Sequence, residues 1–170
     1  MVEFVSQRST VHWDTGCGVA ALLMLLKTAS IPTPKTFKEM GRLLQVNIVP
    51  KIKWGHKFSD YGLGAYTRDV VKYLEDNRIN YIAIADTGKS SISWSVLVGI
   101  IGEVPTMVGM RDENNPEEWG EGGHWVVLEK TSDEFFKCYD PYRKKSEKYV
   151  YKIGVNKLKT DWDGYAIAIT

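Results

Sequence analysis

Only two cysteines, Cys17 and Cys138, and three histidines, His12, His56 and His124, occur in the 170 residues. Cysteines so far apart form no CxxC pair and no zinc-ligand spacing, and two cannot build a disulfide framework. No metal site and no cofactor are therefore expected. A charge of one sign is missing too: 22 basic residues stand against 21 acidic ones, a net +1, which gives no global field for nucleic acid or an anionic membrane. No apolar run reaches the length of a membrane span, the longest being closed by Lys27. The opening MVEFVSQRST lacks a basic stretch followed by an apolar core, so no signal peptide is expected. Few cysteines and no signal suit a cytoplasmic protein, or one exported by a route without a visible signal. There is no repeat, no low-complexity tract and no linker, and the length suits one domain over 1–170.

What is present is ordinary in bulk and informative in detail. Apolar residues make up 44% and charged residues 25%, as in soluble globular proteins. In the stretch DTGCGVAALLMLLK, Val19, Leu22, Leu23, Leu25 and Leu26 recur at helical spacing, with Ala20, Ala21 and Met24 between them. A helix apolar on nearly every side sits inside a protein. Thr15, Gly16 and Gly18 mark a tight turn feeding it, which puts Cys17 at or just before the first helical turn. Unpaired backbone N–H groups and the positive end of the helix dipole favour a thiolate there. A small cysteine that merely packs is the alternative on this stretch alone.

The remaining pattern predicts an extended arm or edge strand over 1–10 and a second helix over 36–45. Residues 46–65, rich in glycine and aromatics, read as a long loop of the kind that often binds. A third helix is predicted over 67–77 with Thr67 as its cap, a strand over 79–85, and a helix capped by Ser90 and Ser91. Strands follow at 104–110, 124–129, 134–140, 148–153 and 164–169. Helices first and antiparallel strands later indicate an α+β domain.

A nucleophilic cysteine needs a base, a group to orient that base, and donors for an oxyanion. His124 follows Gly122 and Gly123 at the mouth of a strand and is the candidate base. His12, close before Cys17, is a candidate substrate or loop contact, and His56 reads as solvated. Asp140 ends the next strand at an Asp-Pro step, and a turn through Thr131, Ser132 and Asp133 brings it to the same sheet end as His124. Cys138 shares its strand face and reads as a buried packing residue, with a sulfur near the site left open. The backbone N–H of Cys17 is one oxyanion donor; Gln7 is the best upstream amide, or else an exposed glutamine. Asp14 orients or gates the site, or only starts the turn. Asp14, Gly123 and Trp125 are expected to border a substrate.

A glutamine, a short loop, TGCGxAALxML, then GHWVVL and a strand ending in YDP together resemble papain-like cysteine peptidases. Within them, the likeness is to the bacteriocin-processing, C39-like group, and it extends over most of the chain to the closing WDGYAIAI. The resemblance implies a papain-like fold, N-terminal helices with a C-terminal antiparallel sheet. It implies Cys17 as nucleophile, His124 as general base and acid, Asp140 as orienting residue and Gln7 as oxyanion-hole amide. Gln7 departs from the family pattern, lying ten residues before Cys17, with the extra residues around Val11, His12 and Trp13. The expected activity is hydrolysis of a peptide or isopeptide bond, with a peptide or protein as partner. Acyl transfer of transglutaminase type, a non-catalytic peptide-binding module, and an effector or toxin with an inhibitor or immunity partner are the rival readings. The aromatic loop from Trp54 to Tyr66 and the acidic DENNPEEWGE before His124 are candidate recognition segments, the latter suggesting basic or polar substrate residues.

Overall fold

A run of near-unbroken apolar residues sets the layout, because a helix with no polar face has to be covered on every side. In the computed structural model, which describes residues 1–9, 16–34, 36–44, 65–111, 123–142 and 148–170, this run is helix α1, Cys17–Thr28. Nine of its twelve residues, Gly18 through Leu26, are buried. It rests on a six-stranded antiparallel sheet of order β1-β6-β2-β3-β4-β5, formed by Tyr81–Ala85, Thr106–Met110, His124–Lys130, Phe135–Tyr139, Val150–Gly154 and Trp162–Ile169 in chain order.

The two-residue period of the strands divides the apolar side chains between the two faces. Met107, Val127, Tyr139 and Ile167 join α1, α2 (Phe37–Leu43) and α3 (Thr67–Asp76) in one core. Val108, Val126, Leu128, Phe136, Cys138 and Ala166 join α4 (Ser91–Glu103) and α5 (Val155–Asp161) in the other. The expected α+β class, with early helices and a late antiparallel sheet, is the observed one.

Local chemistry accounts for the helix starts. Thr36 accepts a hydrogen bond from Glu39 N–H at 3.1 Å, and Ser90 accepts one from Ser93 N–H at 3.2 Å, each serving as an N-cap. The cap expected at Thr67 is corrected: Thr67 is the first helical residue, and Tyr66 holds the cap position without a side-chain hydrogen bond. The arm before α1 is no edge strand. Val2 and Phe4 are buried in the α1 core, Phe4 stacks on Tyr149 at 4.0 Å, and Gln7–Ser9 form a short 3-10 turn. Helix α5 was not expected from the sequence. His12, Asp14, His56, most of the aromatic loop and the acidic segment 112–121 lie outside the described residues.

Candidate active site

Hairpin geometry brings the first polar pair together. β3 and β4 pair with Val127 opposite Tyr139, so the residue opening β3 and the residue just past β4 meet at one end of the sheet. There His124 Nε2 lies 2.7 Å from Asp140 Oδ1, with side chains only 10% and 8% exposed. An ionised carboxylate only accepts, so Nε2–H donates and Nδ1 is the nitrogen left for another partner.

That partner is Cys17. The half-buried thiol at the start of α1 is hydrogen-bonded to His124. Burial alone would raise its pKa. The His124 hydrogen bond and charge, together with the backbone N–H groups of Trp125 and Gly18, outweigh burial and lower it. For His124, burial opposes the imidazolium, but hydrogen bonds to Asp140 and Cys17 and their charges carry its pKa well above the ordinary imidazole range. Both shifts favour a thiolate–imidazolium pair.

Each member is held by its own element. Trp125, the second residue of β3, donates its indole N–H to the Ala65 carbonyl at 2.9 Å. Gly18 lies where a Cβ would meet Ala65 Cβ at 2.5 Å and Trp125 Cδ1 at 3.1 Å. The absent side chain at 18 is what lets the helix start approach β3. Asp140 is fixed at both ends: its N–H donates to Tyr149 O at 3.1 Å, and Oδ1 also accepts from Tyr142 N–H at 2.9 Å. Gly123, with φ of 80°, turns the chain into β3 in a conformation that disfavours side chains.

Gln7, buried to 2% exposure, reaches this corner through its backbone, its N–H donating to Pro141 O at 2.9 Å. The sequence did not reveal its companions. Ser6 Oγ also donates to Pro141 O, Arg8 lies over the Tyr142 ring at 5.3 Å, and that ring meets His124 edge-on at 6.5 Å. The 3-10 turn carrying Gln7 is thus docked on the corner that follows Asp140, and it also packs against α1.

The second cysteine is separate from this chemistry. Cys138 is fully buried, and burial pushes its thiol pKa far up despite a hydrogen bond with Tyr151. It packs, as its strand phase suggested. Among the described residues no cluster of His, Cys, Asp and Glu has the makings of a metal site, and no helix is long and apolar enough to cross a membrane.

No protein-family model matches the sequence. No curated protein matches it either. Solved structures do match, over nearly the whole chain. The peptidase domain of Streptococcus ComA, a bifunctional ABC transporter of a quorum-sensing pathway, is 14% identical, with 100% of this chain and 98% of that one covered and a TM-score of 0.65. A Bacillus anthracis protein described as a C39-like peptidase is 18% identical, with 99% and 94% covered and a TM-score of 0.65. The double-glycine-motif protease of an AMS/PCAT transporter, solved with its leader peptide, is 15% identical, with 99% and 91% covered and a TM-score of 0.62. At such identities the likeness concerns the fold, and the fold is the papain-like α+β arrangement of C39 peptidase domains.

Proposed function

We propose that this chain, with the C39 peptidase fold, is a cysteine-dependent hydrolase of a peptide or isopeptide bond. The observation carrying this reading is the continuous hydrogen-bonded series Cys17–His124–Asp140, in which the sulfur pKa is lowered and the imidazole pKa raised. The leader peptide bound to one of the structural neighbours makes peptide segments the first substrates to try.

The Cys17 thiolate attacks the substrate carbonyl carbon, and the C=O electron pair moves to oxygen. The backbone N–H of Cys17 at the start of α1 meets that oxyanion, with the Gln7 amide as the second donor. Collapse breaks the C–N bond as His124 passes its Nδ1 proton to the leaving amine. The neutral imidazole then takes a proton from water, whose oxygen attacks the thioester and releases the acid and the thiolate. Asp140 acts on neither substrate nor sulfur; it fixes the ring orientation and stabilises the imidazolium.

Cys17→Ala is expected to abolish cleavage and covalent labelling by a peptidyl electrophile while leaving the circular dichroism spectrum unchanged. Retained cleavage in that variant ends the proposal. Gln7→Ala separates the oxyanion role from the nucleophile: turnover falls roughly 10²–10³-fold, whereas alkylation of Cys17 by iodoacetamide, which forms no oxyanion, stays at the wild-type rate.

A further inference from the structure

β6 does not run smoothly beside β2. Trp162 pairs with Met110 and Ala166 with Val108, so residues 163–165 face Gly109 alone and the register shifts there. In this bulge the Asp163 carboxylate folds over Gly109, whose absent Cβ would lie within 2.6 Å of the Asp163 Cγ. A Cβ on Gly123 would come within 3.9 Å of Oδ2. Gly109 pairs with Trp125 and Gly123 directly precedes His124, so the carboxylate stands beside both residues that flank the imidazole. The missing side chain at Gly109 leaves the space that the carboxylate occupies.

The carboxylate is half-buried, and among the described residues only backbone N–H groups meet it, those of Tyr165 (3.0 Å to Oδ1) and of Asp163 itself. Among the described residues it forms no ion pair. Arg111 at the end of β2 and Lys89 before α4 act on it only through their charge. Burial raises its pKa to about 6, against the pull of the Tyr165 N–H and those two cations. A partly desolvated carboxylate that no described cation touches is costly, and a cation brought by a ligand relieves that cost.

We propose that Asp163 is a specificity-determining residue, its Oδ2 accepting hydrogen bonds from a lysine or arginine of the peptide substrate close to the scissile bond. This rests on the peptide-hydrolase reading above. The charge-assisted hydrogen bond predicts a preference on the order of tenfold to a hundredfold for a basic over a neutral residue.

The test uses alanine-based tetrapeptidyl vinyl sulfones carrying lysine or its neutral isostere norleucine at one position at a time, with inactivation of Cys17 as readout. Iodoacetamide serves as the control for the sulfur alone. The expected result is a lysine preference of about tenfold or more at one position, reduced to within about twofold in Asp163→Asn, with the iodoacetamide rate unchanged. In the wild type, the lysine-to-norleucine ratio fades as pH falls through about 6. Cys17 and His124 affect both probes alike and cancel from it. A ratio near one at every position, a preference surviving Asp163→Asn, or a ratio unchanged down to pH 5 overturns the assignment, the last without needing any variant to fold. If Cys17 reacts with no probe and alkylates only like an ordinary cysteine, the hydrolase reading itself fails.

Discussion

A thiol between an imidazole and two backbone N–H groups has its own pH signature. Thiolate exists above the Cys17 pKa, which is lowered, and is lost as pH falls through it; the imidazolium exists below the raised His124 pKa and is lost as pH rises through it. Peptide cleavage is therefore expected to plateau between the two, and iodoacetamide alkylation to begin below the ordinary thiol value of about 8.5. In His124→Ala the sulfur keeps its burial and loses its cation, so the alkylation limb moves to higher pH and cleavage falls roughly 10²–10⁴-fold. Measuring both rates against pH in the two proteins checks this. The three residues were legible because each carries a local sign: glycines before an apolar helix, glycines before a strand, an Asp-Pro step after one. Ser6, Arg8 and Tyr142 carry none. Their contacts depend on an arm folding against a corner far along the chain, as in Ser6 Oγ to Pro141 O across 135 residues. Asp163 was equally hidden, since its setting is made by one glycine on β2 and another just before β3.

Among the elements, the junction of α1 with β3 sets the distance between sulfur and imidazole. Alanine at 18 would gain helix propensity of about 1 kcal/mol over glycine, but its methyl would strike Ala65 Cβ, and a larger side chain has no room at all. Gly18→Val is expected to destabilise by about 1–3 kcal/mol and to slow alkylation of Cys17 by forcing α1 away from Trp125. Denaturant melts and labelling rates read the two effects separately. Helices with strong periodicity were foreseeable, α1 most of all. α5 was not, because VNKLKTD offers a single buried apolar side chain, Leu158, and derives its order from packing beside β5. The missed cap at Tyr66 has a similar cause: a threonine at a helix start satisfies the local rule whether it stands at the cap or one residue beyond.

Across the whole molecule, the N-terminal arm, the sheet and α1 converge on one corner. Phe4 anchors the arm by stacking on Tyr149, whose carbonyl accepts from Asp140 N–H. Phe4→Ala is expected to cost about 3–5 kcal/mol and to lower turnover more than it lowers iodoacetamide alkylation, because the arm carries Gln7 and not the sulfur. Comparing kcat with the alkylation rate in this variant tests that coupling.

The sheet order has a consequence for biosynthesis. β1 and β2 are neighbours in sequence yet never touch, because β6 is laid between them. A ribosome releases 81–110 long before 162–169, so the slot between β1 and β2 stays vacant while β3, β4 and β5 emerge. Helix α1, which rests on β2, β3 and β6 together, lacks part of its bed for all that time. Long-range strand insertion of this kind is slow compared with helix formation. Cys17 is thus made well before the strand that completes the bed of its helix, and its sulfur meets its final surroundings only after 162–169 have emerged.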